Sequence, residues 1–324
     1  MRRFFCILLC LGILIGAGTV WAEEASLVPV GEAVSLRLET DGVYIVKLDG
    51  ADRAKPAALA GLKEGDRIVS VNGRALESVT QLQELVQSSG GAELILCVQR
   101  ADRPMSFTVR PERGEQGWTI GAFVRDQVTG VGTVTWYDPA TGVYGALGHG
   151  VNEGDCLLPL AGGEAGAAEI TGVLRGKAGE PGALRAAGGA PIATVEKNTE
   201  CGLFGHAENG IWTGETLPAA EKDQVRPGPA EILCCVEGSR PERYAVVIES
   251  LRYDRETGRD LTIRVTDSRL LEKTGGIVQG MSGSPILQDG RIVGAVTHVL
   301  VRDPTRGYGI LIERMLDAAG TGDN

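Results

Sequence analysis

The sequence predicts a mainly β protein with more than one domain. Gly accounts for 47 of the 324 residues and aromatic residues for only 5%, so Val, Ile, Leu and Ala must build most of the core. Many glycines among β-branched residues favour short strands joined by tight turns. The length exceeds that of one typical domain. The net charge of −10 and the lack of a Lys/Arg cluster argue against a nucleic-acid partner.

The first residues have the pattern of an export signal. Two arginines precede an uncharged apolar run of 17 residues, and Val20 and Ala22 are small residues at the −3 and −1 positions of a cleavage site. The run is also long enough to span a bilayer if it is not cleaved. We therefore expect residues 1–22 to be a signal peptide or a membrane anchor, and the protein to be exported.

The cysteines after this segment do not suggest a disulfide framework. Their number is odd, two of them are adjacent, and no C-x-x-C spacing occurs that would indicate a metal site. We expect buried free thiols that serve as small hydrophobic side chains. They are Cys97, Cys156, Cys201, Cys234 and Cys235.

Residues 26–112 are predicted to form the first domain. Within them, Lys55–Gly73 reads KPAALAGLKEGDRIVSVNG, which predicts a short apolar helix, then a strand that ends at an Asn72-Gly73 turn. Ser78, three residues before a glutamine, has the pattern of a helix cap, and apolar residues follow it at helical spacing.

This stretch resembles a PDZ domain. The resemblance implies an α+β fold and a peptide groove between a strand near 34–38 and the helix 79–87, where an extended peptide tail adds to a sheet edge. The loop before that strand lacks the glycine that PDZ domains usually have there, which leaves the ligand preference open. The residues expected to line the groove are Val34, Ser35, Leu36, Val79 and Leu82.

A charged, breaker-rich segment, Pro111–Gly117, is predicted to link this domain to a second one at 118–324. The second domain is predicted to consist of short strands. Its stretch 161–190 is rich in Gly and Ala and shows little periodicity. We expect loops there, and no function is assigned to them.

The second domain contains a candidate nucleophile turn, Gly280-Met281-Ser282-Gly283-Ser284-Pro285. A serine needs a turn that exposes its hydroxyl and directs backbone N–H groups at a developing oxyanion, and flanking glycines permit such a turn. The motif, with the Asp289-Gly290 hairpin that follows, resembles the nucleophile turn of trypsin-like serine proteases. Ser284 is the weaker candidate because Pro285 restricts it. A glycine-rich surface turn without chemistry is the alternative.

His149 is the predicted general base. It lies between two glycines, a setting that suits backbone precision better than core packing. His206 and His298, the other two histidines of the chain, are less favoured candidates. Asp267, considered alone, would be taken for a turn or cap residue.

Three segments together resemble the peptidase family of stage IV sporulation protein B: ALGHGV, VTDSRLLEKTGGIVQGMSGSPI and GAVTHVLVRDPTRGYGI. That family combines an N-terminal signal or anchor, a PDZ domain and a trypsin-like double β-barrel protease domain. The resemblance implies a triad of His149, Asp267 and Ser282, and an oxyanion hole from the N–H groups of Gly280 and Ser282. Asp267 departs from the usual spacing because it precedes Ser282 by only 15 residues.

The resemblance also implies a function, that of a serine endopeptidase without metal or cofactor. Such a protein is exported across the inner forespore membrane, cleaves itself and then cuts a membrane-bound regulator, which releases an intramembrane protease that activates a late sigma factor. Its PDZ groove binds peptide tails. Two alternatives remain open: a quality-control protease, in which PDZ domains usually follow the protease domain, and a non-catalytic PDZ binding protein.

Overall fold

The computed structural model describes residues 25–49, 55–101, 103–153, 156–253 and 258–320. The predicted signal segment 1–22 lies outside the described residues. The helices are α1 Pro56–Leu59, α2 Val79–Ser88, α3 Ser268–Thr274 and α4 Ile312–Ala319, with a 3-10 turn at Lys222–Gln224. The strands are β1 Ser26–Pro29, β2 Ala33–Leu48, β3 Arg67–Val71, β4 Arg74–Ala75, β5 Leu94–Arg100, β6 Arg103–Val109, β7 Glu112–Gly114, β8 Gly117–Thr119, β9 Ala122–Tyr137, β10 Val143–Ala146, β11 Asn152–Glu153, β12 Cys156–Leu157, β13 Leu160–Leu174, β14 Ala183–Thr194, β15 Lys197–Thr199, β16 Gly202–His206, β17 Leu217–Pro218, β18 Gly228–Cys234, β19 Glu242–Leu251, β20 Leu261–Val265, β21 Pro285–Gln288, β22 Arg291–Val299 and β23 Arg306–Leu311.

Six strands of the C-terminal half close into a barrel in the order β18-β19-β20-β23-β22-β21. Alternate residues along these strands point inward, as the two-residue period of a strand requires. The barrel interior is therefore filled by branched aliphatic side chains that are fully buried, among them Ile232, Ile248, Ile263, Ile286 and Val296.

A second curved sheet forms a half-barrel beside the closed one. Its strand order is β15-β16-β10-β9-β2, and β13 and β14 continue it beyond the first half of β2. Its core is formed mainly by buried aliphatic and aromatic side chains, including Val34, Leu38, Val134, Tyr144 and Leu203. The two barrels confirm the predicted trypsin-like, mainly β fold class.

The PDZ domain lies between two neighbouring strands of the half-barrel. β2 and β9 are each 16 residues long, and both extend out of the barrel into the PDZ core. There β2 pairs with β3 through Val43 and Tyr44, and β9 continues beside it. The predicted block 26–112 therefore begins too early, because Ala33–Glu39 pairs with β9 in the barrel. Both strands thus cross from one core to the other, and in β2 the crossing falls at Asp41-Gly42, where Gly42 has φ of +115° and the register with β9 shifts.

The PDZ helix α2 forms as its sequence predicts. The Ser78 hydroxyl accepts a hydrogen bond from the Gln81 N–H at 3.1 Å, which satisfies one of the free donors of the first turn. Leu82 and Val86, four residues apart, are buried on the same face of the helix.

The stretch 161–190 forms a long hairpin of β13 and β14, so the prediction of loops there is wrong. β13 adds to the barrel edge by pairing with β2. A Cβ at Gly163 would lie 2.7 Å from the Arg37 carbonyl oxygen, and one at Gly166 would lie 2.7 Å from the Ser35 hydroxyl. Small residues let this hairpin lie close to β2, so the low periodicity reflects tight packing rather than irregular backbone.

Cys234 and Cys235 are buried free thiols, as predicted, and burial raises the pKa of Cys235 to about 11. Cys97 and Cys201 are also free but only half-buried. Within the part of the chain that the structure describes, no helix is long and apolar enough to cross a membrane.

Candidate active site

A cleft of about 480 Å³ lies where the two barrels meet. The half-barrel contributes Leu147, His149 and residues 128–131 of β9, and the closed barrel contributes residues 277–280, Ser282 and the end of β22. Most of the lining is apolar. The structure therefore brings two of the predicted catalytic residues, His149 and Ser282, to one cleft from different barrels.

The turn that carries Ser282 is clamped from both barrels. On the half-barrel side, the Thr133 N–H donates to the Ser282 carbonyl at 2.9 Å and the Thr133 hydroxyl donates to the Gly280 carbonyl at 2.8 Å. On the other side, the Gly283 N–H donates to the Val296 carbonyl at 2.8 Å. Sequence reasoning missed Thr133, because the residue is distant in sequence and carries no motif.

Glycine is required in this turn by conformation and by space. Gly280 and Gly283 both have φ of +96°, and a Cβ on Gly283 would lie 1.9 Å from the Thr133 carbonyl oxygen.

Among the hydrogen bonds between described residues, none is donated by the N–H groups of Gly280 or Ser282. These are the two donors that the sequence predicts for an oxyanion hole.

The loop that carries His149 is strained. Leu147 has φ of +68°, which is rare for a residue with a side chain, and Gly148 follows with φ of +71°. The His149 Nδ1 lies 2.9 Å from the Gly150 carbonyl oxygen. A carbonyl only accepts, so Nδ1 carries the proton in this hydrogen bond and Nε2 of the neutral ring is left with its lone pair. Burial lowers the pKa of His149 below its ordinary value, which favours this neutral form.

His298 stacks beside His149 with ring centroids 4.7 Å apart and an angle of 36° between the rings. Partial burial lowers the pKa of His298 to about 4, with further contributions from His149 and Arg259. His298 follows Thr297, whose carbonyl accepts the Ser282 hydroxyl at 2.6 Å. Both residues belong to β22, so this strand forms one wall of the cleft.

Asp267 is not bonded to His149 in this structure, so the predicted triad is not formed here. Its carboxylate caps α3 by accepting the Arg269 N–H at 3.0 Å, and it forms an ion pair with the same residue's guanidinium at 2.9 Å. A further bond comes from the Ala245 N–H. Arg269 therefore lowers the pKa of Asp267. No hydrogen bond between described residues joins Asp267 to His149, whose partner is a backbone carbonyl.

Two of the less favoured candidates, Ser284 and His206, have other hydrogen-bond partners. Ser284 is fully buried and its hydroxyl donates to the Met281 carbonyl at 2.6 Å, so it stabilises the turn from inside. His206 lies on the surface, where it pairs with Glu196 at 3.0 Å.

Val34, Ser35 and Leu36 do not line a peptide groove, and this prediction is wrong. Their strand pairs with β13 on one side and with β9 on the other, which leaves no edge for an added strand. Val34 is fully buried in the half-barrel core. The two helical residues of the prediction, Val79 and Leu82, do lie in the PDZ core, where Leu82 is buried and Val79 half-buried.

The strand beside α2 is instead the start of β9. Gln87, near the C-terminal end of the helix, bonds both backbone groups of Trp118 through its side chain, at 2.8 and 3.0 Å. At the other end, the Val79 N–H donates to the Asp126 carboxylate at 2.7 Å. α2 therefore runs antiparallel to the first part of β9, along the floor formed by Ile120, Ala122 and Val124. Apolar residues thus alternate with others at Ile120, Ala122 and Val124, shortly after the predicted linker. This pattern is the sequence signal that could have indicated the strand beside α2.

Comparisons with known proteins find relatives of two parts of the chain. The PDZ family matches residues 50–100. Zinc metalloprotease RasP of Geobacillus kaustophilus is 36% identical over 74 residues, which are 22% of this chain and 16% of RasP. The putative serine protease HhoB of Synechocystis is 38% identical over 71 residues, again 22% of this chain and 16% of the relative. The chain thus spans less than a fifth of the length of these two proteins.

Two solved structures are similar to parts of the chain. The PDZ domain of an SdrC-like protein from Listeria monocytogenes covers 26% of this chain and 87% of its own, with 24% identity and a TM-score of 0.23. The Rv3671c protease from M. tuberculosis, in its active form, covers 50% of this chain and 75% of its own, with 17% identity and a TM-score of 0.32.

The family that spans most of the chain is the SpoIVB peptidase S55 family, which matches residues 116–316. That range contains both clamps of the Ser282 turn, the His149 loop and all of the closed barrel. A serine hydroxyl and a neutral histidine in one cleft are the groups that a serine endopeptidase requires. The chain belongs to the SpoIVB peptidase S55 family and contains a PDZ domain.

Proposed function

We propose that this chain is a signalling endopeptidase of sporulation. In this proposal it is exported across the inner forespore membrane by its N-terminal segment, cleaves itself, and then cuts a membrane-bound regulator that restrains an intramembrane protease. The observation that carries the proposal is the cleft that holds His149 and Ser282 within a chain of the S55 family.

The catalytic steps follow from the groups in the cleft. The Ser282 hydroxyl turns from the Thr297 carbonyl towards His149, and its Oγ attacks the substrate carbonyl carbon while Nε2 of His149 takes the proton. The N–H groups of Gly280 and Ser282 stabilise the oxyanion. The C–N bond then breaks as His149 returns the proton to the leaving amine. Water hydrolyses the acyl-enzyme by the same proton route in reverse.

The Gly150 carbonyl takes the orienting role that a carboxylate has in a triad. It fixes the tautomer of His149 but carries no full negative charge to stabilise the imidazolium. Mutating the acid of a serine protease triad lowers kcat by about 10⁴. A serine–histidine pair is therefore a slow catalyst, which suits an enzyme that acts few times on few substrates.

The test follows the purified full-length chain over time by mass spectrometry. We expect wild type to accumulate self-cleavage fragments and Ser282→Ala to accumulate none. Ser284→Ala is the matched control: it removes a buried hydroxyl of the same turn and costs about 1 kcal/mol of stability, but it leaves the nucleophile in place. The same fragments in Ser282→Ala would refute the assignment of the nucleophile.

The role in sporulation needs a separate test. A spore-forming strain that lacks its own S55 peptidase is supplied with wild type or Ser282→Ala, and heat-resistant spores are counted. We expect wild type alone to restore them. Equal spore counts with the two chains would contradict the proposed role in sporulation, but they would not contradict the assignment of a peptidase.

A further inference from the structure

One edge of β9 is open along most of the strand. Between Ala122 and Thr133, β2 is the only strand among the described residues that pairs with β9. Proteins usually cover, charge or shorten such an edge, because its unpaired N–H and C=O groups recruit other strands. This one is long and contains only Arg125 and Asp126 as charged residues.

The backbone groups at the protease end of this edge point into the cleft. The Thr133 N–H donates to Ser282 and its carbonyl accepts the Leu147 N–H, so Thr133 faces away from β2. The pairing of residues 127–133 with Ala33–Glu39 has no register break. Because backbone direction alternates along a strand, Val131, Thr129 and Gln127 also present N–H and C=O groups away from β2. Residues 128–131 line the cleft that contains Ser282.

The PDZ end of the same edge faces α2. The Gly121 carbonyl accepts the Asp49 N–H at 3.0 Å, so Gly121 faces β2. The following residues Ala122 and Val124 therefore face away from β2, towards the space beside the helix. The pairing of β9 with β2 shifts register twice. The shift between Ile45 and Lys47 adds its extra residue to β2, so the alternation of β9 at Phe123 and Val124 continues unbroken. The other shift, opposite Asp126, is the irregularity that joins the two halves of the edge.

We propose that β9 is a ruler that sets the distance between the C-terminal carboxylate of a substrate and the bond that is cut. The occupant is an extended polypeptide with a free C-terminus, which adds antiparallel to β9 with its end beside Ile120–Ala122. From Ala122 to Val131 the strand advances nine residues, or about 30 Å. The bond next to Ser282 therefore lies about ten residues before the C-terminus, with one residue of tolerance for the irregularity.

This inference rests on the proposed peptidase activity of Ser282. The first experiment treats 24-residue peptides of random sequence, with a free C-terminal carboxylate or a C-terminal amide, with the full-length chain. Ser282→Ala provides the blank. Mass spectrometry measures the length of the released C-terminal fragments. We expect a peak at about 9–11 residues for the carboxylate peptides and loss of that peak for the amides. Fragment lengths that are the same in both sets would overturn the ruler.

A second measurement separates a ruler from recognition of local sequence. A peptide that is cut in the first experiment is extended by four residues at its C-terminus. A ruler moves the cut four residues towards the new end, whereas sequence recognition leaves the same bond cut. No cleavage by wild type beyond the Ser282→Ala blank would instead contradict the proposed peptidase function, so the two failures are distinguishable.

A variant tests the strand itself. Thr129→Pro removes an N–H that faces away from β2, so the ladder between β2 and β9 keeps its hydrogen bonds. Thr129→Ala keeps the N–H and is the matched control. We expect the 9–11-residue peak to fall at least fivefold in Thr129→Pro relative to Thr129→Ala, and an equal peak in both would contradict the role of this edge. If Thr129→Pro does not fold, the peptide experiments on wild type decide the question.

Discussion

The turn around Ser282 and the turn around Asp267 use their hydrogen bonds in opposite ways. In the first, backbone groups are fixed by Thr133 and Val296, while the Ser282 hydroxyl makes one bond that a rotation can break. In the second, the Asp267 carboxylate is occupied by Arg269 and Ala245 and anchors the start of α3. A side chain is available for chemistry when the fold fixes its backbone and leaves its functional atoms uncommitted.

The largest expected effect comes from crowding the first turn. In Gly283→Ala the new Cβ would lie 1.9 Å from the Thr133 carbonyl oxygen, at φ of +96°. We expect a loss of about 3 kcal/mol or more in the free energy of unfolding, and loss of peptidase activity with it. Chemical denaturation and peptide cleavage measure the two effects.

Gly290→Ala is the control for backbone strain alone. Gly290 also has positive φ, +76°, but a Cβ there would meet nothing within 4 Å. We expect it to cost about 1 kcal/mol and to leave cleavage intact. Equal losses in the two variants would show that the contact with Thr133 does not hold the nucleophile turn.

A smaller effect is expected at the second turn. Asp267→Asn keeps a side chain that caps helices well but removes the charge that pairs with Arg269. We expect peptide cleavage to stay within about threefold of wild type, as for a surface substitution. A fall of about 10⁴, the loss seen when the acid of a triad is replaced by its amide, would show that Asp267 orients His149 during catalysis.

The smallest effect is a shift in pH dependence. A carboxylate beside His149 would raise the pKa of the imidazole, whereas here burial lowers that pKa by more than the hydrogen bond to the Gly150 carbonyl raises it. The base must be neutral to act, so activity rises with pH through this lowered pKa. We expect the acidic midpoint of kcat/KM to lie below 6.5, measured on a short peptide.

His206→Ala is the control for this profile, because His206 lies on the surface beside Glu196 and outside the cleft. Its removal is expected to leave the acidic midpoint unchanged. An acidic midpoint of kcat/KM above 6.5 in wild type would indicate a negative charge next to His149. A carboxylate would then have to be part of the catalytic mechanism.

Ser282 and His149, which the structure brings to one cleft, could be singled out from the sequence because the turns that carry them are marked locally. Glycines around Ser282 and His149 indicate backbone turns, and the turns form where the glycines are. The groove strand and the acid could not be located in this way. The sequence of β2 is compatible with an edge strand or a central strand, and only its non-local partners β9 and β13 decide which. Likewise, a carboxylate is bound by the nearest cation, and Arg269 lies two residues away from Asp267.

The insertion of the PDZ domain between β2 and β9 has a consequence for how the chain folds. Pairing Glu39 with Gln127 in an unfolded chain closes a loop of more than eighty residues, at an entropic cost of about 4 kcal/mol. A folded PDZ domain already holds Tyr44 beside Arg125. The barrel residues of β2 and β9 then need only pair one after another from that point. The PDZ domain is thereby the template on which the half-barrel closes.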